Sequence, residues 1–191
     1  MSTKQRLSTQ AARLFAERGY HGTSVSDLAA ALGIHKSSVY AHIDTKEDLL
    51  AEISLAGAAA FHAALDDLRS DTAQGRLREA LRAHLEVVKQ QLHVATIWLQ
   101  EWRFLTGGAR EEFVRQRHGY ERRVRKLIED AIDSGALRQD LDIRYAVLLF
   151  FSLANWTYTW FDAQTDVDTV TEHYWELLVG GIGARQASGQ G

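Results

Sequence analysis

Hydroxyl, amine and imidazole side chains are concentrated in one short polar run near the start of the chain, between Thr23 and Lys46. Such groups exchange hydrogen bonds with base edges and phosphates, and a helix that carries them without bulky neighbours can enter a DNA major groove. The side chains predicted to reach base edges are Lys36, Ser37 and His42. Those predicted to contact phosphate are Thr23, Ser38, Tyr40 and Lys46, the last helped by the positive end of its helix.

Two short helices joined by a glycine turn would position this run. The first is predicted to begin at Thr23 or Ser24, whose hydroxyl can cap it, and its apolar residues repeat at helical spacing. Gly33 then allows the left-handed turn that often ends a helix. This is the pattern of a helix-turn-helix, but glycine turns also join amphipathic helices in proteins that bind no nucleic acid. The spacing alone leaves DNA binding and an ordinary helical corner equally open.

A longer set of spaced residues favours DNA binding. The run FAERGYHGTSV at 15–25 precedes Leu28-Ala29, and the pattern GI-x-K-x-SVY at 33–40 precedes KE-x-LL at 46–50. Over about its first 50 residues the chain resembles the DNA-binding domain of the TetR family of transcriptional regulators. The resemblance implies a three-helix head, a separate helical ligand-binding body and a two-fold dimer. The two heads would reach successive major grooves of a near-palindromic, double-stranded DNA operator, about 34–36 Å apart.

Two positions depart from the pattern usual in that family. His35 stands where Ser or Thr commonly caps the recognition helix, and Ile43 stands where Phe is usual. A ring nitrogen of His35 can still accept a hydrogen bond, but the ring becomes charged in mild acid, so the cap and its phosphate contact are left open. Ile43 is smaller than Phe but also apolar, so it can fill the same position. The expected fold is the same with either residue.

Composition narrows the possible classes. The 191 residues include no Cys, which excludes disulfides and thiol chemistry, and no Pro, which suits uninterrupted helices. No apolar run follows Lys4 and Arg6, so no signal peptide is predicted and a cytoplasmic location is expected. Net charge is −3, and residues 1–50 hold six Lys or Arg against five Asp or Glu, so modest nonspecific DNA affinity is expected.

The predicted fold is all-α, with about nine helices in two domains. Residues 1–50 are expected to form the helix-turn-helix DNA-binding domain, and residues 51–191 the helical ligand-binding and dimerisation domain. Beyond the head, helices are predicted at about 45–68, 77–92, 94–105, 110–134, 140–161 and 167–182. Residues 183–191 are expected to be disordered because they are small and polar.

The run from Tyr145 to Phe161 contains no charged residue over 17 positions, so a membrane helix is the alternative to weigh. Such a helix spans about 25 Å, which is short of the ~30 Å hydrocarbon core of a bilayer. We therefore expect no membrane partner. A helix that is apolar on all sides is buried on all sides, so the last two helices are predicted to pair with their two-fold mates in a homodimer.

Aromatic residues of the body are predicted to line a pocket for a small-molecule effector. The motifs Arg117-x-x-Tyr120-Glu121 and Asn155-Trp156-x-x-x-Trp160 resemble a TetR subgroup that responds to fatty or steroid-derived acyl-CoA thioesters. That resemblance implies an acyl-CoA or fatty-acid effector. The predicted ligand-binding residues are Trp98, Trp102, Arg117, Tyr120, Asn155, Trp156 and Trp160. Packing in the core or in a dimer interface is the alternative for each aromatic residue.

Six basic residues on one predicted helix leave two interpretations open. They are Arg115, Arg117, Arg122, Arg123, Arg125 and Lys126. They form either a solvated face neutralised by neighbouring carboxylates or the mouth of a site for an anion such as the CoA pyrophosphate. Asp162 follows the second Trp of the motif where the subgroup tends to carry Arg, which argues against a phosphate contact at that end.

Motifs for catalysis are missing from the sequence. It contains no His-Glu-x-x-His, no Glu-x-x-His and no glycine-rich phosphate loop after a predicted strand, so no enzyme activity, metal or cofactor is predicted. The predicted function is a ligand-responsive DNA-binding transcriptional regulator, in the form of a repressor that an effector releases from its operator. The alternative function is a helical ligand-carrier or interaction module whose N-terminal helices serve only for packing.

Overall fold

The structure is a computed structural model that describes residues 1–181. This part of the chain folds into nine α-helices and two short 3-10 helices without a strand, which confirms the all-α prediction. The α-helices are α1 (Thr3–Arg18), α2 (Val25–Leu32), α3 (Lys36–Val39), α4 (Lys46–Ala64), α5 (Ala73–Gln90), α6 (Leu92–Leu99), α7 (Gly107–Asp133), α8 (Ile143–Trp156) and α9 (Val167–Gly180). The 3-10 helices are η1 (Glu101–Phe104) and η2 (Thr157–Thr159).

Local sequence signals start the helices of the head. Ser24 and Asp27 form a reciprocal capping box at the start of α2, and Thr45 with Asp48 forms another at the start of α4, as the sequence predicts. Gly33 ends α2 in the left-handed region, with φ 67° and ψ 32°. The apolar faces of α1, α2 and α4 then meet in a buried core.

Helix α4 continues from the head into the body, where α5 to α9 surround a core rich in aromatic rings. Phe61 of α4 lies against His84, Trp98 and Tyr120, with ring centroids 4.4–5.6 Å apart. Gly57 allows α4 and α6 to approach closely, because a Cβ at this position would lie 3.1 Å from the Cβ of Trp98. Within the described residues, none of the helices combines the length and apolar character that a bilayer crossing requires.

Several helix boundaries differ from those predicted. Helix α4 ends at Ala64, four residues early, and α6 ends at Leu99, after which the chain tightens into η1. Gly107 begins α7 with a φ of 50°, instead of ending the preceding helix. Helix α8 ends at Trp156 and continues as η2. The predicted disorder of residues 183–191 lies outside the described residues.

Candidate DNA-binding surface and ligand cavity

The four-residue helix α3 is held on the head by two buried side chains, Val39 and Ile43. Its outer side exposes Lys36, Ser37 and Ser38, and the turn that follows exposes Tyr40 and His42. Five of the seven residues predicted to contact DNA are therefore exposed on α3 and the turn after it. Small and polar side chains there leave the helix free to approach a groove.

Thr23 is placed differently from its prediction. Its side chain is fully buried, and its hydroxyl lies 3.1 Å from the carbonyl oxygens of Leu14 and Gly19, to which it can donate. The hydroxyl therefore cannot reach a phosphate, which corrects the predicted contact. The residues around a loop hydroxyl do not indicate whether its side chain points inward or outward. The burial of Thr23 could therefore not be predicted from the sequence.

Lys46 also faces the interior of the head. Its Nζ donates to the carbonyl oxygens of Tyr20 and Thr23 at 2.7 Å each and lies 4.1 Å from the centroid of the Tyr20 ring. Partial burial lowers the pKa of this ammonium group. Two of its three protons therefore serve the turn between α1 and α2, and the predicted phosphate contact stays a prediction.

The side chain of His35 does not cap α3. His35 has the extended backbone of an N-cap residue, with φ −71° and ψ 149°, but its ring makes no capping hydrogen bond. Helix α3 is positioned instead by Val39 and Ile43 and by the left-handed turn at Gly33.

A cavity of about 720 Å³ lies between the walls formed by α6, α7 and α8. Four of the predicted ligand-binding residues line it: Trp98, Arg117, Asn155 and Trp156. Other lining residues escaped the sequence analysis, among them Gln100, Arg125, Arg144, Phe151 and Tyr158. Gln100 donates a hydrogen bond to the Tyr158 hydroxyl, which ties the end of α6 to the end of α8.

Two polar atoms of the lining residues are buried without a hydrogen-bond partner among residues 1–181. They are Nε1 of Trp98, a donor, and Oδ1 of Asn155, an acceptor. A buried polar group that lacks a partner costs about 1–3 kcal/mol. Both atoms are closed to solvent, so an occupant of the cavity can bond to them only after the wall rearranges.

Tyr120 lies behind this wall and does not line the cavity. Its side chain is fully buried, and its hydroxyl is 3.0 Å from Nδ1 of His84. Burial raises the pKa of the Tyr120 phenol and lowers the pKa of His84 to about 3, so both groups stay neutral. The predicted ligand contact of Tyr120 is corrected to a core position.

Trp102 and Trp160 also lie outside the cavity lining, so their ligand contacts stay predictions. Trp102 stands on η1, so it does not share a helix with Trp98, and it stacks on Phe113 with planes 13° apart. The guanidinium of Arg117 lies 5.3 Å from the centroid of the Trp102 ring. Trp102 therefore supports a lining residue without lining the cavity itself. Trp160 follows η2 and is 44% exposed.

Some basic residues of α7 fit the interpretation of a neutralised solvated face, and others fit that of an anion site. Five of the six lie in ion pairs: Arg115–Glu112, Arg117–Glu121, Arg123–Asp66, Arg125–Glu129 and Lys126–Asp130. Most of the cluster is therefore a neutralised surface. Arg117 and Arg125 nevertheless line the cavity, where Arg144 of α8 joins them.

Two protein-family models match the chain. The model described as "Bacterial regulatory proteins, tetR family" matches residues 8–53, and "Tetracyclin repressor-like, C-terminal domain" matches residues 70–182. The chain belongs to the TetR family. It is a DNA-binding transcriptional regulator, and regulators of this family bind operator DNA and are dimeric. Family membership favours this function over that of a ligand carrier without a DNA role.

Similar proteins cover nearly the whole chain. The repressor KstR2 of Rhodococcus jostii (strain RHA1) is 28% identical over 184 residues, which span 90% of this TetR-family chain and 87% of KstR2. The fatty acid metabolism regulator protein of Bacillus subtilis (strain 168) is 26% identical over 177 residues, which span 90% of this chain and 91% of that protein.

Solved structures of TetR-family members share the fold. PfmR from Thermus thermophilus superposes with a TM-score of 0.85 at 30% identity and covers 93% of this chain and 99% of its own. AibR in complex with isovaleryl coenzyme A and operator DNA superposes with a TM-score of 0.83 at 26% identity, over 93% of this chain and 98% of AibR.

Proposed function

We propose that this TetR-family protein represses transcription from a near-palindromic operator and leaves the DNA when an acyl-CoA or a related fatty acid occupies the cavity. The observation that carries the proposal is the combination of one exposed polar surface at α3 with a cavity that has apolar and arginine-bearing walls. Regulation of this kind takes place in the cytoplasm.

The α3 surface supplies the groups that DNA recognition needs. Lys36, Ser37 and His42 are the candidates for base edges, and Ser38 and Tyr40 are the candidates for phosphate. The recognition helix has only four residues, so its base contacts are few. Its partner head in the dimer would supply an equal set of contacts one helical turn away along the operator.

The cavity has the size and chemistry that an acyl thioester requires. Its volume of about 720 Å³ falls within the usual range for ligand sites, and Leu148, Phe151 and Trp156 give it an apolar wall. Once the wall rearranges to expose them, Nε1 of Trp98 can donate to a thioester carbonyl and Oδ1 of Asn155 can accept from a pantetheine amide N–H. The phosphates of CoA would meet Arg117, Arg125 and Arg144. AibR, which superposes on this chain, binds isovaleryl coenzyme A.

Calorimetric titration with acyl-CoAs of increasing chain length tests the effector assignment. The double variant Arg125→Gln and Arg144→Gln should weaken acyl-CoA binding by about tenfold or more, because each arginine can form a charge-assisted bond to phosphate. Arg115→Gln is the matched control, since Arg115 is a basic residue of α7 outside the cavity lining. Equal losses in both variants, or no acyl-CoA binding by the parent protein, would contradict the assignment.

The dimer would form through α8 and α9. The large apolar side chains that stay exposed in residues 1–181 are, apart from Met1 and Tyr40, all located on or next to these helices. They are Tyr145, Leu149, Trp160, Leu177 and Val179, together with Leu148 and Trp156, which also border the cavity. Exposed apolar side chains concentrated on two helices are typical of a protein interface, and the two helices of each protomer would meet their mates as a four-helix arrangement.

A further inference from the structure

Two carboxylates attach the turn after α6 to the head. Glu101 of η1 is only 6% exposed, and its Oε2 accepts a hydrogen bond of 2.7 Å from the backbone N–H of Tyr20. Glu47 of α4 accepts from the N–H and the hydroxyl of Thr106, at 2.6 and 2.9 Å. These bonds join residues 81 and 59 positions apart, so they depend on the packing of head against body.

The same turn forms one end of the cavity. Trp98, Leu99 and Gln100 line it, and Glu101 follows directly. The residue that borders the ligand space and the residue that holds the head are therefore neighbours in the chain. Helix α6 packs closely against α4, because Trp98 lies so near Gly57 that even a Cβ at that position would be crowded. An occupant that pushes on this end must displace the turn along with the helix.

Glu101 is an unusual choice for a purely structural contact. Burial of a carboxylate costs more hydration free energy than burial of an uncharged amide of the same size would. Within residues 1–181, the cation paired with it is Arg103, whose Nη2 lies 3.9 Å from Oε1 of Glu101 on a side chain that is 58% exposed. The hydrogen bond to the Tyr20 N–H is charge-assisted, and separating its partners would leave both of them buried and unpaired. The two segments therefore resist separation and tend to move together.

The turn that Glu101 holds is connected to the DNA-binding helices. The carbonyl of Tyr20 accepts from Lys46 at the start of α4, and the ring of Tyr20 stacks on Phe104 of η1 with centroids 5.8 Å apart. Helix α2 begins five residues after Tyr20 and packs against α3. A displacement of the Tyr20 turn would therefore change the orientation of the helix-turn-helix, because only a few contacts separate them.

We propose that Glu101 is the residue that couples occupancy of the cavity to the position of the head. Pressure of a ligand on the Gln100 end of the cavity shifts η1, and the Glu101 carboxylate carries the Tyr20 turn with it. The inference rests on the proposed effector cavity and adds the residue through which it acts. It differs from effector binding itself, because Glu101 does not line the cavity.

A covalent occupant tests this coupling without knowledge of the natural effector. The chain has no Cys, so Val147→Cys on the α8 wall provides a single thiol that N-octylmaleimide can alkylate inside the cavity. Hydrogen exchange of the peptide spanning residues 16–24 is measured by mass spectrometry in the full-length protein, with and without the label. Labelling should raise its exchange rate about fivefold, because a Tyr20 turn that Glu101 carries away from its packed position in the head opens more often.

Matched substitutions at Glu101 then separate coupling from stability. Glu101→Gln keeps an acceptor for the Tyr20 N–H and should retain the response to the label. Glu101→Met has the same length without that acceptor, so its peptide should exchange fast before labelling and show no further rise. Glu101→Ala is the second acceptor-free variant if the Met variant lacks a cooperative thermal transition. Glu111→Met, at an exposed position on α7, is the control and should respond as the parent does.

Two results would overturn the inference. One is a full response to the label in the acceptor-free variants, and the other is an unchanged exchange rate in the labelled parent. Neither depends on acyl-CoA, so a failure of the effector assignment in calorimetry is recognised separately from a failure of the coupling.

Discussion

Lys36 and Lys46 stand ten residues apart in the head and have different environments. Lys36 is exposed at the first position of α3, whereas Lys46 is half-buried and holds the carbonyls of Tyr20 and Thr23. Residue type and spacing predict both as DNA contacts. The hydrogen bonds of Lys46 reach 23 and 26 residues back along the chain, so its structural role depends on tertiary packing that no local pattern reveals.

The substitution Lys46→Ala should therefore act on stability. It leaves two carbonyls without their partner, and we expect the free energy of unfolding to fall by about 1–3 kcal/mol. Lys36→Ala is the matched control and should change stability by less than about 0.5 kcal/mol while weakening DNA binding. Urea denaturation followed by circular dichroism measures both. If the two variants were equally stable, the structural role of Lys46 would be wrong.

His84 makes the stability of the body depend on pH. Burial holds its pKa at about 3 in the folded protein, below the ordinary value of 6.5, so the unfolded chain binds more protons in acid. Stability from this group is fully present above pH 6.5 and is lost as pH falls from 6.5 towards 3. The slope should be at most about 1.4 kcal/mol per pH unit.

The variant His84→Gln should show a shallower loss of stability over this pH window than the parent protein. Thermal unfolding at several pH values between 7 and 4 gives the comparison, with His93→Gln, an exposed position on α6, as the control. A slope unchanged by His84→Gln would show that the ring is already charged or accessible in the folded state.

Helix starts are the elements that the sequence predicts best. Ser24 with Asp27 and Thr45 with Asp48 are contained within four residues each, so their capping boxes form wherever those segments are helical. The end of α6 shows the opposite case. Apolar residues continue at helical spacing past Leu99, but the chain leaves the helix and Glu101 reaches Tyr20 across the head. A long-range contact of this kind has no periodic signature.

The predicted dimer interface is formed by helices α8 and α9. The double substitution Leu149→Glu and Val179→Glu places charge on two exposed apolar positions, 46% and 43% exposed, and should convert the dimer to monomers. Sedimentation equilibrium measures the mass, and Gln164→Glu, in the exposed loop between the helices, is the control. A dimer that resists the double substitution would place the interface elsewhere.

At the scale of the whole molecule, α4 and the α1–α2 turn join the two halves. Helix α4 begins in the head at Lys46 and ends beside the cavity-bearing body at Ala64, while Glu101 and Glu47 fasten the body to the head at a second place. The cavity and the α3 surface are therefore linked by packed elements, so a ligand that favours one head position over another changes DNA affinity by its differential binding.

The sequence predicts the head and the body each better than it predicts the contacts that bring distant segments together. The fold class and the α3 surface follow from local patterns and the family resemblance, and so do four residues of the cavity, because each is marked by periodicity, capping or a short motif. Arg125 and Arg144 meet at the cavity from different helices, and no spacing along the chain indicates that they converge.

Fluorescence anisotropy with labelled DNA tests most directly whether the α3 surface binds an operator. The probes are duplexes from the region flanking the protein's own gene and a shuffled duplex of equal composition. We predict that the dimer binds one flanking duplex about 1,000-fold or more tightly than the shuffled one. The double variant Lys36→Ala and Tyr40→Ala should lose about tenfold or more of that affinity and remain dimeric. Equal binding to both duplexes, or undiminished binding by the double variant, would contradict the account.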